Sequence, residues 1–508
     1  MSHPGRKIVI IGGGIAGLCT AVYAQKCGYQ AQILEMHDMA GGLATSWRRG
    51  GYIFETCLHW LYGSNPDGAM HAQWREVCDI DKLTFVDPEE FGHLETENGD
   101  SLTIHTDIDR LETELLKRAP QDSAAIRHFS SSVRSLGKFK MPDPARNWAG
   151  NWRTLLSDVP YLPLLQELSH TSCRDYGARF TDPLLRSMFS GGDMGGGLSA
   201  IALFFSIVWM NQRDAAYAIG GSQALIRLIE QKLDSLGGQI RFNARVEQIL
   251  VEHGAAVGVR LADGEVIPAD WVISAADGHA TLFDLLGGKY TSHSAQKRYR
   301  ERETFPSYLQ VSLGVARDLR AMPALLTRLL DTPLQLDPAT QLHQVSLRFF
   351  HFDPTFAPPG KTAVTCFLPT RNHEYWVNLH QHDPAGYREQ KRRVADAVIT
   401  VLERKIPDVR RSIEVTDVAT PSTVIRFTGN WKGSMEGWFI APGAGFRQFP
   451  GTLPGLRHFR MAGQWVMPGG GLPSGILTGR PAIAAICKED RVPFTPRFET
   501  LPASAIAG

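Results

Sequence analysis

The sequence predicts an α/β fold whose parallel sheet is assembled from distant parts of the chain, with a mixed α+β domain inserted between those parts. The first observation is a strand, a glycine-rich turn and a helix pattern over residues 7 to 35. The second is another glycine-rich turn, near residue 470, with a helix-like run behind it. The third is that the alternation of strands and helices is interrupted twice between these ends. Such alternation indicates a parallel sheet, so the interruptions predict an inserted domain.

The first glycine-rich turn has the spacing of a dinucleotide-binding site. Lys7 to Ile11 reads as a strand, and Gly12, Gly14 and Gly17 follow it in the pattern G-x-G-x-x-G. Gly12 permits a tight turn, Gly14 lets the backbone approach a pyrophosphate, and Gly17 lets helix and strand pack closely. The strand, turn and helix together predict a Rossmann-like dinucleotide site.

A helix start and an acidic residue complete this unit. The helix is expected to begin at Ile15 and Ala16, whose free N–H groups would point at the pyrophosphate from the positive end of the helix dipole. Gln30 to Leu34 reads as the next strand, and Glu35 stands 21 residues after Gly14. At this distance its carboxylate is expected to accept hydrogen bonds from ribose hydroxyls.

The predicted cofactor is FAD, because two further glycine clusters suit a large ligand with a second polar end. One cluster lies in a loop after Glu35 that is expected to return along the phosphates. The other, residues 468–475, precedes a helix whose dipole would stabilise negative charge on a reduced flavin ring. A plain surface turn is the alternative interpretation of the second cluster. The predicted cofactor-binding residues in and around these clusters are Met36, Gly41, Gly42, Leu43, Gly463, Leu472, Pro473, Gly475 and Ile476.

The remaining elements follow from hydrophobic periodicity and turn residues. The alternating stretch Thr45 to Glu55 predicts one strand, and the spacing from Leu225 to Leu236 predicts a helix that ends at Gly237. A helix over residues 392–406 is expected to stop at Pro407. Further helices are predicted over residues 111–118 and 124–139. Further strands are predicted over residues 83–91, 102–105, 246–251, 257–261, 271–275, 308–315, 345–352 and 362–367.

These elements predict a discontinuous Rossmann-like FAD-binding domain with an inserted mixed α+β substrate-binding domain. The FAD-binding domain is assigned residues 1–70, 216–289 and 426–488, and the substrate-binding domain residues 71–215 and 290–425. Residues 489–508 are expected to form a C-terminal tail. The apolar run Leu198 to Met210 is shorter than the roughly 20 residues a membrane span needs. It predicts a core helix, with a tunnel wall or a membrane-dipping patch as the alternatives.

Composition and net charge argue against some classes of binding partner. The net charge of +1 provides no general field that would recruit nucleic acid. The seven cysteines are scattered without a C-x-x-C pair, which favours reduced thiols in a cytoplasmic protein and argues against a structural zinc or other metal site. The oligomeric state is left open.

Four blocks spread along the chain carry a resemblance to a known family. They are residues 217–221 (YAIGG), 237–240 (GGQI), 269–277 (ADWVISAAD) and 428–434 (TGNWKGS), in addition to both glycine-rich ends. With them the chain resembles the phytoene desaturase and carotenoid isomerase branch of FAD-dependent oxidoreductases, which also contains retinol saturase. Leu43-Ala44 departs from relatives that place an arginine after the early glycine pair. Residues 57–60 also differ from what the carotenoid enzymes themselves would be expected to have.

The resemblance implies hydride exchange between flavin N5 and a carbon of a long apolar, isoprenoid-like or polyene-like substrate. Desaturation is the first expectation, and flavin-dependent isomerisation or saturation are its neighbours. Peripheral membrane contact is expected, because such a substrate must be collected from lipid. The resemblance also implies that the stretch carrying Val246 lies against the adenine end of FAD. An amine oxidase-like enzyme acting on a small polar substrate, or a carrier without turnover, are alternatives from other classes.

The segment Cys57-Leu58-His59-Trp60 is the candidate catalytic segment, since the resemblance takes it past the flavin. His59 is the residue in it that exchanges protons near neutral pH, and hydride transfer at a C–C bond leaves a proton to be moved. Trp60 is a candidate wall for the flavin or the substrate. The alternative is that these side chains pack and form hydrogen bonds without taking part in chemistry.

Overall fold

The computed structural model describes residues 5–139, 157–189, 196–445 and 447–496, so most of the predicted tail lies outside the described residues. In these ranges the strands are β1 (Lys7–Ile11), β2 (Gln30–Leu34), β3 (Ser46–Arg49), β4 (Tyr52–Glu55), β5 (Leu61–Tyr62), β6 (Phe85–Val86), β7 (Glu90–Glu95), β8 (Ser101–His105), β9 (Ala215–Ala218), β10 (Gln239–Arg241), β11 (Val246–Glu252), β12 (Ala255–Leu261), β13 (Val266–Pro268), β14 (Trp271–Ser274), β15 (Ser307–Val315), β16 (Leu325–Asp337), β17 (Thr340–Phe349), β18 (Thr362–Thr370), β19 (Ile413–Ala419) and β20 (Phe459–Met461).

The helices in the same ranges are α1 (Ile15–Lys26), α2 (Ala69–Val77), α3 (Ile108–Arg118), α4 (Ser123–Leu136), α5 (Leu162–His170), α6 (Cys173–Gly177), α7 (Pro183–Met188), α8 (Ala200–Asn211), α9 (Gly221–Ser235), α10 (His293–Glu301), α11 (His373–His382), α12 (Pro384–Lys405), α13 (Pro421–Thr428) and α14 (Ser474–Asp490). Short 3₁₀ turns and one π-helical turn, Ala280–Leu285, connect some of them.

A parallel sheet holds the two glycine-rich ends together. Its strand order within the described chain is β10-β2-β1-β14-β20, and each neighbouring pair is parallel. The strands predicted over Lys7–Ile11 and Gln30–Leu34 have the predicted bounds. Every residue of β14 is buried, as expected for a strand covered on both faces. The α/β class is therefore confirmed by the sheet itself.

A second, mostly antiparallel sheet is built from other segments. Its order in the described residues is β19-β15-β18-β17-β16-β7-β8, and β7 lies parallel to β16. Its strands come from residues 90–105 and 307–419, whereas those of the parallel sheet come from residues 7–34, 239–274 and 459–461. The exact domain boundaries stay a prediction.

The strand predicted over residues 83–91 is wrong, because these residues belong to β6 and β7, which lie in different sheets. Two other predicted elements differ from the structure for local reasons. Thr45 to Glu55 forms the hairpin β3–β4, because Gly50 and Gly51 both adopt positive φ and turn the chain between the strands. The helix predicted over residues 392–406 already begins at Pro384. Asp383 accepts a hydrogen bond from the Gly386 N–H at 2.9 Å, and a proline is favourable at the first helical position.

Most of the apolar run Leu198 to Met210 forms α8, part of which packs in the core as predicted, while other residues of the helix line an internal cavity, as the tunnel-wall alternative predicts. Ile201, Phe204, Ile207 and Val208 are buried in a hydrophobic cluster that includes residues of α3 and α4. Among the described residues, no helix has both the length and the apolar character to cross a membrane.

Candidate active site

The predicted site residues converge on a common cavity of about 2720 Å³. Of the sixteen predicted cofactor-binding residues, fourteen line it, and Gly17 and Gly475 lie behind its wall. His59 and Trp60 line the same cavity. Ligand pockets commonly measure about 300–1000 Å³, so this cavity has room for a large cofactor and a second molecule.

The turn after β1 has the geometry that its glycines predict. Gly12 has a φ of +96°, and a Cβ on Gly17 would lie 1.9 Å from the Gly12 carbonyl oxygen. Helix α1 therefore packs against the turn more closely than any side chain allows. A Cβ on Gly14 would meet no described atom nearer than 3.8 Å, so the space beside Gly14 is open to a ligand.

The two other glycine clusters lie against the same turn and the start of α1. The Gly41 N–H donates to the Gly13 carbonyl at 2.9 Å, which brings the early loop back along the turn. A Cβ on Gly475 would lie 2.9 Å from the Ile15 carbonyl oxygen, so the first turns of α1 and α14 meet. The Gly463 N–H donates to the Thr478 hydroxyl of α14 at 2.7 Å. Two helix N-termini, each with partial positive charge, thus converge on the cavity.

Glu35 lies beside the turn after β1 and is 7% exposed. Its carboxylate accepts hydrogen bonds from the Gly13 N–H at 2.6 Å and the His37 N–H at 2.9 Å. The Ala244 N–H donates to the Glu35 carbonyl at 2.8 Å, which places the strand that begins at Val246 beside it. The side chain is held at the edge of the cavity, where it could also accept ribose hydroxyls.

Glu55, which sequence reasoning missed, holds the segment that carries His59. One carboxylate oxygen accepts from three consecutive backbone N–H groups, those of Thr56, Cys57 and Leu58, at 2.9–3.2 Å. The Ser222 N–H and hydroxyl each donate to this carboxylate at 2.7 Å. The side chain is 2% exposed, and burial raises its pKa while these donors oppose that change. A buried carboxylate with five donors fixes the loop rigidly.

His59 is held in the cavity as a neutral imidazole. Burial, and secondarily the neighbouring Arg348 guanidinium, lowers the pKa of His59 well below its usual range. A neutral imidazole can accept a proton or form hydrogen bonds, but it is not a proton donor at neutral pH. Burial also raises the pKa of the Cys57 thiol, so Cys57 is not a reactive thiolate. Catalysis by His59 stays a prediction.

Trp60 belongs to an aromatic wall. The rings of Trp60 and Trp209 are 5.8 Å apart, Tyr62 stacks on Trp209 at 4.1 Å, and Phe205 stacks on it at 5.7 Å. All four residues line the cavity, together with Ile201 of α8. This wall offers planar, apolar surface to a bound molecule.

Glu436 is a second carboxylate that sequence reasoning missed. It lines the cavity between the Glu55-bound loop and the second glycine cluster. A Cβ on Gly470 would lie 3.1 Å from the Glu436 Cβ, and the Glu436 charge contributes to the raised pKa of Cys57. Burial raises the pKa of Glu436 to about 7. Its carboxyl group can therefore take up or release a proton near neutral pH.

Comparison with known proteins agrees with this geometry. Residues 15–487 match the model of the flavin containing amine oxidoreductase family. The chain belongs to this family. It is therefore an FAD-dependent oxidoreductase, and the predicted resemblance to the phytoene desaturase and carotenoid isomerase branch is confirmed by its relatives.

Two relatives illustrate that branch. This family member is 24% identical to phytoene desaturase (neurosporene-forming) of Cereibacter sphaeroides, with 99% of this chain and 98% of that protein covered. It is 25% identical to chloroplastic prolycopene isomerase of Arabidopsis thaliana, with 84% of this chain and 73% of that protein covered.

Solved structures share the fold at lower identity. An oxidoreductase from Methanosarcina mazei has a TM-score of 0.60 and 17% identity, over 94% of this chain and 100% of that one. Putrescine oxidase bound to putrescine has a TM-score of 0.60 and 14% identity, over 95% of this chain and 99% of that one. The predicted fold class is thus confirmed.

The cavity of this family member fits FAD. Space without a side chain beside Gly14 suits a pyrophosphate, and a buried carboxylate suits a ribose. The first turn of α14 meets that of α1 and brings a second positive helix end to the same cavity. The arrangement would hold FAD across the carboxyl ends of β1 and β2, as expected for an open parallel sheet.

Glu35→Ala should weaken FAD binding. The change removes an acceptor worth about 1.5–3 kcal/mol when charged, so the Kd should rise about tenfold or more. Gly14→Val should abolish binding, because its side chain would fill the space open to the pyrophosphate. The measurement is the ratio of flavin to protein absorbance after gel filtration, with the exposed Glu252→Ala as the control. Glu35→Ala protein that retains FAD like the wild type would contradict this assignment.

Proposed function

We propose that the enzyme desaturates a C–C bond in a long apolar substrate. The observation that carries the proposal is the apolar wall continuous with the cofactor-binding residues. The wall follows α8, whose 12 residues span about 18 Å at roughly 1.5 Å per residue. A small polar substrate would leave most of this surface in contact with water. The desaturase and isomerase relatives support the same substrate class.

The protein orients the substrate, excludes water from the site and transfers the proton. When bound, FAD supplies hydride exchange with a substrate carbon. Formation of a C=C bond also requires that the neighbouring carbon lose a proton, and we propose Glu436 as its acceptor. Among the other acids that line the cavity, Asp277 competes with Glu436 for this role, because burial raises its pKa to about 7 as well. Its two oxygens, however, already accept the N–H groups of Ala280 and Trp431, each at 2.8 Å.

Anaerobic mixing of the holoenzyme with a panel of polyenes and isoprenoids tests this function. Desaturation should bleach the oxidised flavin absorbance and lengthen the conjugated system of the substrate. Geometric rearrangement without net bleaching would identify isomerisation. Bleaching by putrescine-like amines and by none of the long chains would reject the proposal in favour of amine oxidation.

Flavin reduction should depend on pH through Glu436. The ionised carboxylate is the proton-accepting form, so the rate should rise with pH through about 7 and then level off. Glu436→Gln should lower the rate about 10²–10⁴-fold and remove this rise. Stopped-flow absorbance measures the rate, and the unchanged flavin spectrum is the control for binding.

His59→Gln distinguishes the predicted catalytic histidine from Glu436. If Glu436 is the acceptor, this variant should keep the rise through about pH 7 while changing the rate less than Glu436→Gln does. A pH profile that is lost in His59→Gln and kept in Glu436→Gln would assign the proton to His59 instead.

We also propose peripheral membrane contact at the cavity mouth. Val159 and Leu162 are 52% and 55% exposed, and Leu162, Leu165 and Phe139 line the cavity. The run from Val159 to Leu165 contains no charged residue. Apolar side chains at an opening suit collection of a substrate from lipid.

Flotation with phospholipid vesicles tests this contact. The wild type should float, and the double variant V159D/L162D should remain at the bottom of the gradient. Val266→Asp is the matched control, because Val266 is 50% exposed on β13 and does not line the cavity. Wild-type protein that never floats would exclude the proposed contact.

A further inference from the structure

The end of helix α13 lies against the loop that follows β2. The Phe427 ring stacks on the His37 ring, with the ring centroids 4.7 Å apart and the planes at 29° to each other. The Arg426 carbonyl oxygen lies 3.5 Å from His37 Nε2. A Cβ on Gly429, just after the helix, would lie 3.6 Å from the Met36 Cε. The contact joins two segments that are distant in sequence.

Both of these segments line the cofactor half of the cavity. Glu35 and Met36 line it from the β2 side, and residues 425–429 line it from the α13 side. The His37 N–H donates to the Glu35 carboxylate at 2.9 Å, so the residue that carries the stacked ring is fixed to the predicted ribose acceptor. The contact therefore bounds the cavity next to the predicted adenosine end of FAD.

Helix α13 connects this contact to the part of the chain that forms the antiparallel sheet. Before the helix, the buried Thr420 hydroxyl lies 2.7 Å from the Tyr387 hydroxyl of α12. In its first turn, the Ser422 hydroxyl lies 2.9 Å from His380 Nδ1 of α11. Helices α11 and α12 share a hydrophobic cluster with strands of the antiparallel sheet, whereas β2 belongs to the parallel sheet. A hinge movement between these two parts would separate Phe427 from the loop after β2.

The stacked pair is a surface contact of modest strength. Phe427 is 47% exposed, whereas Val424 on the same helix is 6% exposed. The Arg426 guanidinium lies 4.6 Å from the centre of the Phe427 ring, which adds a cation–π attraction. A ring pair favours its stacked arrangement over the separated one by about 2–12-fold. Such a contact keeps two segments together and still opens readily.

We propose that Phe427 and His37 close the cofactor site over the adenosine end of FAD, and that FAD enters and leaves when this stacked pair separates. Contacts such as that of Glu35 would set how tightly FAD is held, and the stacked pair would set how fast it exchanges. The inference goes beyond the proposed desaturation, because it concerns the cofactor and does not depend on the substrate.

FAD release from the holoenzyme tests the inference. The release rate after dilution is measured from the rise in flavin fluorescence, and the Kd from the FAD that stays bound at equilibrium. Phe427→Ala should speed release about 2–12-fold, because the pair that must separate is missing. The Kd should stay within about twofold of the wild-type value, since loss of a contact within the protein speeds entry and exit alike.

A second variant shows whether the two rings act as one contact. His37→Ala alone should speed release as Phe427→Ala does. The double variant should be no faster than either, because the second change removes nothing more from a pair that is already lost. Phe427→Tyr keeps the ring and should release FAD at the wild-type rate. Val266→Ala is the matched control, at a residue that is 50% exposed on β13 and does not line the cavity.

Three results would overturn the inference. An unchanged release rate in Phe427→Ala would make the pair an ordinary surface contact. Faster release with a Kd raised by the same factor would make Phe427 a direct contact of FAD. Additive effects of the two single changes would show that the rings act separately. None of these results depends on whether a polyene bleaches the flavin, so they are distinguishable from failure of the proposed desaturation.

Discussion

The close contact between the first turns of α1 and α14 is the constraint on which the site depends. A Cβ on Gly17 would come within 1.9 Å of the Gly12 carbonyl oxygen in the turn before α1, and a Cβ on Gly475 of α14 would come within 2.9 Å of the Ile15 carbonyl oxygen of α1. Only this approach lets two helix N-termini, separated by more than 450 residues of sequence, act on one ligand. The parallel sheet fixes both helices, because β1 precedes one and β20 the other. The close packing of these two helices is thus required both by the fold and by cofactor binding.

Glu55 extends this rigid region toward the reacting end of the cavity. Its carboxylate joins the loop after β4 to Ser222 at the start of α9, and its carbonyl accepts the Gln310 side chain of β15 at 2.9 Å. The residue therefore connects three parts of the chain that are distant in sequence. Removing the buried Glu55 carboxylate would leave its donors unpaired. The substitution would therefore lower the stability of the fold as well as the activity.

The cofactor half of the site could be predicted from sequence because its signals are local. Gly14, Gly17 and Glu35 lie within one strand–turn–helix unit whose spacing has a direct geometric meaning. Glu55 and Glu436 have no such spacing, since Glu55 depends on Ser222, which is distant in sequence, and Glu436 depends on its burial in the folded protein. The aromatic-rich stretch over residues 345–352 did predict a strand, observed as Thr340–Phe349, but sequence alone does not tell whether one face of a strand meets solvent or an internal cavity. Tertiary packing decides that question.

The continuity of the cavity has a consequence for the electrostatics of the enzyme. Because the cofactor region and the apolar wall share one space, water fills the part that a substrate does not occupy. The effective dielectric constant of that space is therefore higher before binding and falls as an apolar chain displaces that water. Interactions between charges strengthen as the dielectric constant falls. Binding of the substrate thus lowers the dielectric constant of the site in which it reacts. A chain too short to fill the cavity would leave water there, so the charges of the site would act on it more weakly.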